Sequence, residues 1–232
     1  PPVSRQLLEL VSSPRCLGIL GSIPCKTYSP ARYAPGDGVL VHSKPLRDVD
    51  HPTGIPGPDG QLPSSVVKSN ATTEFLAEAC ERVVAHGGIC LVETAPARGT
   101  HSAFPLPGRE RHICMLDHPA FVRAAATIKA QTLHFDQCMT REDPHGTPQK
   151  KTVLFFSPNL ASLVQREFAL LMCDHPPGTH VSMLGVGDDG LPQSSQWETY
   201  SPDMNARLAR CLVEGVACPS TSRAPQSAAS AS

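Results

Sequence analysis

The chain has 232 residues, 40% of them hydrophobic and 18% charged, with a net charge of -1. That length can bury a real core and is most simply one domain, and the composition excludes a disordered chain. The near-zero charge excludes an overall basic signature, so any DNA contact has to come from a local patch. Nine dispersed cysteines, an odd number, argue against a disulfide framework. Cys80, Cys90, Cys114 and Cys211 sit in apolar runs as small hydrophobes, and an intracellular, reducing compartment (nucleus or cytoplasm) is expected. No stretch is long and apolar enough to span a membrane, and the N-terminus has no signal-peptide pattern, so no membrane partner is expected. Beginning at Pro1 without Met, the sequence is expected to be a fragment, a processed product or a domain of something longer.

In chain order, residues 4–13 read as the end of a short helix with Leu7, Leu8 and Val11 on one face. Cys16 to Leu20 reads as a short buried strand, and Gly21 to Tyr33 as the loop after it. Residues 34–63 are rich in Gly and Pro without periodicity, a long loop of the functional or disordered kind. The clearest helix is 66–86, where Phe75, Leu76, Ala79, Cys80, Val83 and Val84 recur at helical spacing and Gly87-Gly88 supplies the stop. Ile89 to Val92 reads as a strand with Glu93 at its end. A loop-rich stretch (95–117), a helix (118–129) and strands at Gln131–Phe135 and Thr152–Phe156 follow.

Ser157-Pro158-Asn159 and Ser201-Pro202-Asp203 share one helix-start grammar, a Ser cap before Pro in the first turn. The first opens a helix carrying Leu160, Leu163, Val164, Phe168 and Leu171. The second opens one carrying Met204, Leu208, Leu212 and Val216. The alternation predicts an α/β domain over 1–218, with a mostly parallel sheet flanked by helices, and a disordered Ser/Ala/Pro-rich tail over 219–232. In such sheets ligands collect at the carboxyl ends of strands.

Three segments at strand boundaries carry the chemistry. Ile23-Pro24-Cys25 follows the first strand, Glu93-Thr94-Ala95 ends the second, and Gly146-Thr147-Pro148-Gln149-Lys150-Lys151 precedes the last. A cysteine thiolate can attack carbon 6 of a pyrimidine, and a carboxyl group can bind the ring's N3 edge. Singly, each has a bland reading: a loop cysteine, a carboxylate at a sheet edge, a solvated Lys pair.

In this order the three resemble the cytosine-5 DNA methyltransferase family, whose fourth motif is a Pro-Cys loop, sixth Glu-Asn-Val, and eighth roughly Gly-Val-Pro-Gln-Arg-Arg. Met204-Asn205 with Leu208-Ala209 resembles its tenth motif. Cys25-Lys26-Thr27-Tyr28-Ser29-Pro30-Ala31-Arg32-Tyr33, Phe135-Asp136-Gln137-Cys138 and Tyr200-Ser201-Pro202-Asp203-Met204-Asn205 are similar to methyltransferase-like segments of retrotransposon-type polyproteins in algae and protists. The resemblance spans most of 15–216.

The resemblance implies a partial Rossmann-like methyltransferase fold and S-adenosylmethionine as methyl donor. It implies Cys25 as nucleophile and Glu93 on the base edge. Gln149 and Lys151 would hold the catalytic loop and the DNA backbone, with Pro24 and Asn205 beside the donor. The partners implied are DNA, with the target cytosine flipped out, and the upstream part of a longer polyprotein. The sequence also departs from the pattern. No Phe-x-Gly-x-Gly loop precedes the Pro-Cys strand, the family's second Pro is Ile23, the motif Asn is Thr94, and the eighth motif's last Arg falls on Val153. Some fifty residues separate the eighth and tenth motifs, too few for an ordinary target-recognition domain. The alternative is a non-catalytic nucleic-acid or protein-interaction module within a mobile-element polyprotein. A Cys/His hydrolase using Cys25 would leave the Gly-Thr-Pro-Gln motif unexplained.

A second constellation is Cys173, His175 and His180, with Cys138 as a fourth ligand. Cys-x-His followed by a nearby His can hold zinc in a tetrahedral site, though the spacing is not that of a standard finger.

Overall fold

The computed structural model describes residues 3–23, 25–33, 44–141, 147–181 and 199–217. Pro24, Gly146 and the expected tail over 219–232 lie outside the described residues. Among the described residues, five α-helices and four strands run in the order α1 (Val3–Val11), β1 (Gly18–Ser22), α2 (Ser64–Ala85), β2 (Ile89–Thr94), α3 (Pro119–Ile128), β3 (Gln131–Asp136), β4 (Lys151–Phe156), α4 (Ala161–Phe168) and α5 (Pro202–Ala217). The described part of the 34–63 stretch, from Lys44 on, holds no helix or strand, as the missing periodicity predicts.

The sheet order is β1-β2-β4-β3. β1 and β2 are parallel, and β4 runs antiparallel to both β2 and β3. The sheet is therefore mixed, which corrects the expectation of a mostly parallel one. A parallel return needs a crossover, usually a helix laid on a sheet face. α2 supplies it between β1 and β2. Between β3 and β4 the described residues hold only a 3₁₀ turn, Gln137–Thr140, so β4 comes back beside β3 in the opposite sense.

Strand alternation sends side chains to two cores. Cys90, Val92 and Phe155 face α2 and α3 with Leu76, Cys80, Val83, Phe121 and Ala124. Ile89, Leu91, Leu154 and Phe156 face α4 and α5 with Val164, Phe168, Met204 and Leu208. β2 is buried at every position, which explains its unbroken apolar run. β1, expected as a buried strand from Cys16, begins two residues later at Gly18 and is an edge strand, with Leu17 and Leu20 about half exposed.

The stop after α2 is a Schellman turn. Gly88 N–H donates to Val83 O (3.0 Å) and Gly87 N–H to Val84 O (2.9 Å). Gly87 takes φ +78°, which glycine adopts without a Cβ penalty. Gly21 serves close approach instead: a Cβ there would lie 2.7 Å from both Leu76 methyls. Gly21→Ala should therefore push α2 off β1 and cost about 1–3 kcal/mol, read as a lower urea midpoint.

The two Ser-Pro starts behave differently. Ser201 Oγ accepts the Met204 N–H (3.1 Å), a true cap on α5. Ser157 does not cap. Its Oγ accepts the Cys90 N–H (3.1 Å) and its N–H donates to Cys90 O (3.1 Å), extending the β2–β4 ladder. α4 begins later, after a 3₁₀ turn at Pro158–Leu160, and ends at Phe168 before Leu171.

His118 caps α3, its Nδ1 accepting the Ala120 N–H (3.2 Å). It is 2% exposed, and its Nε2 has no hydrogen-bond partner. Burial, with Arg47 and Arg123 nearby, lowers its pKa from 6.5 to about 4. The unfolded chain then binds more protons between those values, so neutral His118 favours the folded state above pH 6.5. That contribution drains away as pH falls toward 4, at up to about 1.4 kcal/mol per pH unit. His118→Asn keeps a capping acceptor and removes the titration. Its stability should fall less steeply across that window in urea melts run at several pH values.

Candidate functional site

Parallel pairing sets Ser22 opposite Glu93, so the carboxyl ends of β1 and β2 coincide. Cys25 opens a 3₁₀ turn, Cys25–Thr27, just past that end of β1. Antiparallel pairing of β4 with β2, Thr94 opposite Val153, brings the start of β4 to the same edge. Lys151, the first residue of β4, pairs with Asp136, the last of β3. The three segments that are 68 and 58 residues apart in sequence, counted Cys25 to Glu93 and Glu93 to Lys151, thus meet at one sheet edge.

Glu93 is 5% exposed and turns toward the α4/α5 side. Its Oε2 accepts from Tyr200 OH (2.5 Å) and Ser22 Oγ (3.1 Å), and its Oε1 from Gln137 Nε2 (3.2 Å). Tyr200 OH also reaches Ser22 Oγ (2.7 Å), and Gln137 donates to Thr152 Oγ1 (2.9 Å). These donors are all neutral. Together they hold the buried Glu93 carboxyl in one orientation at the strand end. Sequence reasoning singled out Glu93 but missed Ser22 and the roles of Gln137 and Tyr200. Their one signal was that Gln137 and Tyr200 lie inside stretches carrying the family resemblance.

The turn carrying Cys25 is fixed from the other side. Thr27 Oγ1 bonds Ser69 Oγ on α2 (2.8 Å), and Arg47 Nε donates to Thr27 Oγ1 (3.3 Å). The Arg47 guanidinium lies 4.1 Å over the Tyr28 ring and also donates to Pro52 O (2.8 Å) and Val66 O (3.5 Å). Arg47 is 1% exposed and burial lowers its pKa. His112, whose pKa burial lowers, sits neutral. Its Nε2–H donates to Tyr28 O (2.8 Å) and its Nδ1 accepts the Arg98 N–H (2.9 Å). Arg109 Nε donates to Pro30 O (3.0 Å).

The remaining expected residues divide. Lys151 Nζ binds both oxygens of fully buried Asp136 (3.0 Å each) and lies 4.5 Å over the Phe104 ring. Its ammonium is committed to the protein. Gln149 is exposed beside it. Asn205 is exposed on the first turn of α5. Among the described residues, a cavity of about 260 Å³ lies on the α2/α3 side, lined by Ala97, Glu110, His112, Asp117 and His134 among others. Of the two residues expected beside a methyl donor, the described residues include Asn205 alone.

Cys138, Cys173, His175 and His180 come together, their ligand atoms all within 4.8 Å of one another. Burial, then the Cys173 thiol beside it, push the Cys138 thiol up to about 12, so it is inert as a free nucleophile. No described helix is long and apolar enough to cross a membrane. No family model, curated protein or solved structure matches this chain.

Proposed function

We propose that the chain is a cytosine-5 DNA methyltransferase-like domain with a partial Rossmann-like fold, carrying the base-attacking half of the site. Cys25 is the nucleophile and Glu93 the base-edge residue. The observation that supports this reading most is the parallel register of β1 and β2, by which the turn opened by Cys25 follows one carboxyl end and Glu93 stands at the adjacent one. Calorimetry with S-adenosylmethionine tests the donor half of the reading: micromolar binding supports a methyl donor site within this chain, and no binding confines the reading to the base-attacking half.

The chemistry assigned to these residues needs no donor. The Cys25 thiolate adds to C6, forming the S–C6 bond, while Glu93 supplies a hydrogen bond and a proton at N3. The C5=C6 electron pair moves to C5, which takes a proton from water. The hydroxide left by that water takes the original C5 hydrogen, the thiolate is expelled from C6 as the C5=C6 bond re-forms, and the N3 proton returns to Glu93, which restores cytosine and both side chains. The net event is exchange of the C5 hydrogen with solvent.

The test follows release of tritium from C5-labelled cytosine in single-stranded and duplex DNA. Wild-type chain should release label above the buffer rate, and Cys25→Ala should not. Release that survives Cys25→Ala removes Cys25 as nucleophile. A silent wild type overturns the catalytic reading in favour of a non-catalytic binding module, in which Tyr200, Ser22 and Gln137 are the permanent partners of Glu93.

A further inference from the structure

We propose that Cys138, Cys173, His175 and His180 bind one Zn²⁺ as a closed structural site. The inference is independent of the reading of Cys25 and Glu93. The donors are two thiols and two imidazoles, the soft, mixed set that selects zinc. Cys173 Sγ lies 3.3 Å from His175 Nδ1 and 3.1 Å from His180 Nε2. A tetrahedral zinc with Zn–S about 2.3 Å and Zn–N about 2.0 Å needs S···N edges of about 3.6 Å, a shift of a few tenths of an ångström.

The local sequence builds this convergence. Pro176-Pro177-Gly178-Thr179 is a type II turn: Pro177 sits at its second position, Gly178 takes φ +86°, and Thr179 N–H donates to Pro176 O (3.3 Å). It folds His175 and His180 onto the same side, with ring centroids 5.2 Å apart. The 3₁₀ turn after β3 delivers Cys138 from beneath, fully buried.

Supporting contacts orient the ligands. His180 Nδ1–H donates to Thr147 O (2.9 Å), which leaves Nε2 as the lone-pair nitrogen facing the thiols. Cys173 N–H donates to Asp136 Oδ2 (3.0 Å), the carboxylate that Lys151 holds. All four positions of a tetrahedron are filled by protein, so the ion is structural rather than catalytic. Residues 169–181 have no helix or strand of their own. The metal would staple them to the exit of β3 and, through Thr147, to the segment leading into β4.

The test uses the full chain purified under reducing conditions, with metal content measured by mass spectrometry and Co²⁺ as a spectroscopic probe. The expected result is one zinc per chain. Co²⁺ should give thiolate charge-transfer and intense tetrahedral d–d bands that Zn²⁺ bleaches. Cys173→Ser and His180→Ala should each lose stoichiometric uptake, while Cys16→Ser, a thiol elsewhere in the fold, should keep it. Wild-type chain that takes up neither ion on titration overturns the proposal, even if the variants fail to fold. So does a Cys138–Cys173 disulfide that persists under those conditions, or uptake unchanged in both ligand variants.

Discussion

Glu93→Gln should lower C5 exchange by about 10²–10⁴-fold, the usual share of a positioned general acid, while leaving the fold intact. The substitution is isosteric. Its carbonyl oxygen still accepts from Gln137, and its new amide donates to Ser22 or Tyr200 once their hydroxyls rotate. What disappears is the proton that N3 needs. Glu93→Ala should differ in kind. It removes the acceptor shared by Gln137, Tyr200 and Ser22 and leaves a gap beside buried Gln137, at a cost of about 1–3 kcal/mol, so exchange and stability fall together. Parallel exchange kinetics and urea melts on the two variants separate the roles. An unchanged rate in Glu93→Gln would remove Glu93 from the chemistry and leave it as a structural carboxylate.

Arg47→Ala should be the most damaging single change to stability, about 3–5 kcal/mol. The side chain is 1% exposed and fills a large volume. Its bonds go to Thr27, Pro52 and Val66, and its guanidinium stacks on Tyr28. Removing it opens a cavity and takes away the donor to Pro52 O. Arg47→Met restores most of the volume but not the bonds, and should recover part of the loss. Because Thr27 and Tyr28 lie two and three residues after Cys25, both variants should also free that turn. Amide exchange at Lys26–Tyr28 should accelerate more than at β2, whose burial does not depend on Arg47. Equal acceleration everywhere would mean that Arg47 supports the fold at large and not this turn.

By itself, the sequence determined the elements whose signals are local. The helical repeat ending in Gly87-Gly88, the unbroken apolar run of β2, the Ser201 cap and the Cys-x-His pair are all read within a few residues, because backbone preference and periodicity act at that range. The order of Pro-Cys, Glu and Gln-Lys-Lys was legible too, but not that these segments meet. Only the tertiary structure decided that, through register: one parallel pairing and one antiparallel pairing bring three strand ends to a single edge. It also decided the direction of β4, for which the sequence offered only the missing helix between β3 and β4.

The partners of individual side chains were equally hidden. Ser157 has the sequence of a cap and bonds Cys90 instead, and Lys151, expected near DNA, is taken by Asp136. A hydrogen bond or ion pair goes to whichever partner burial leaves closest, and burial is fixed by packing between segments far apart in the chain. The four metal-ligand residues show both halves. Their chemistry stands in the sequence, while their convergence depends on a glycine turn and on a strand exit 35 residues before Cys173, counted from Cys138.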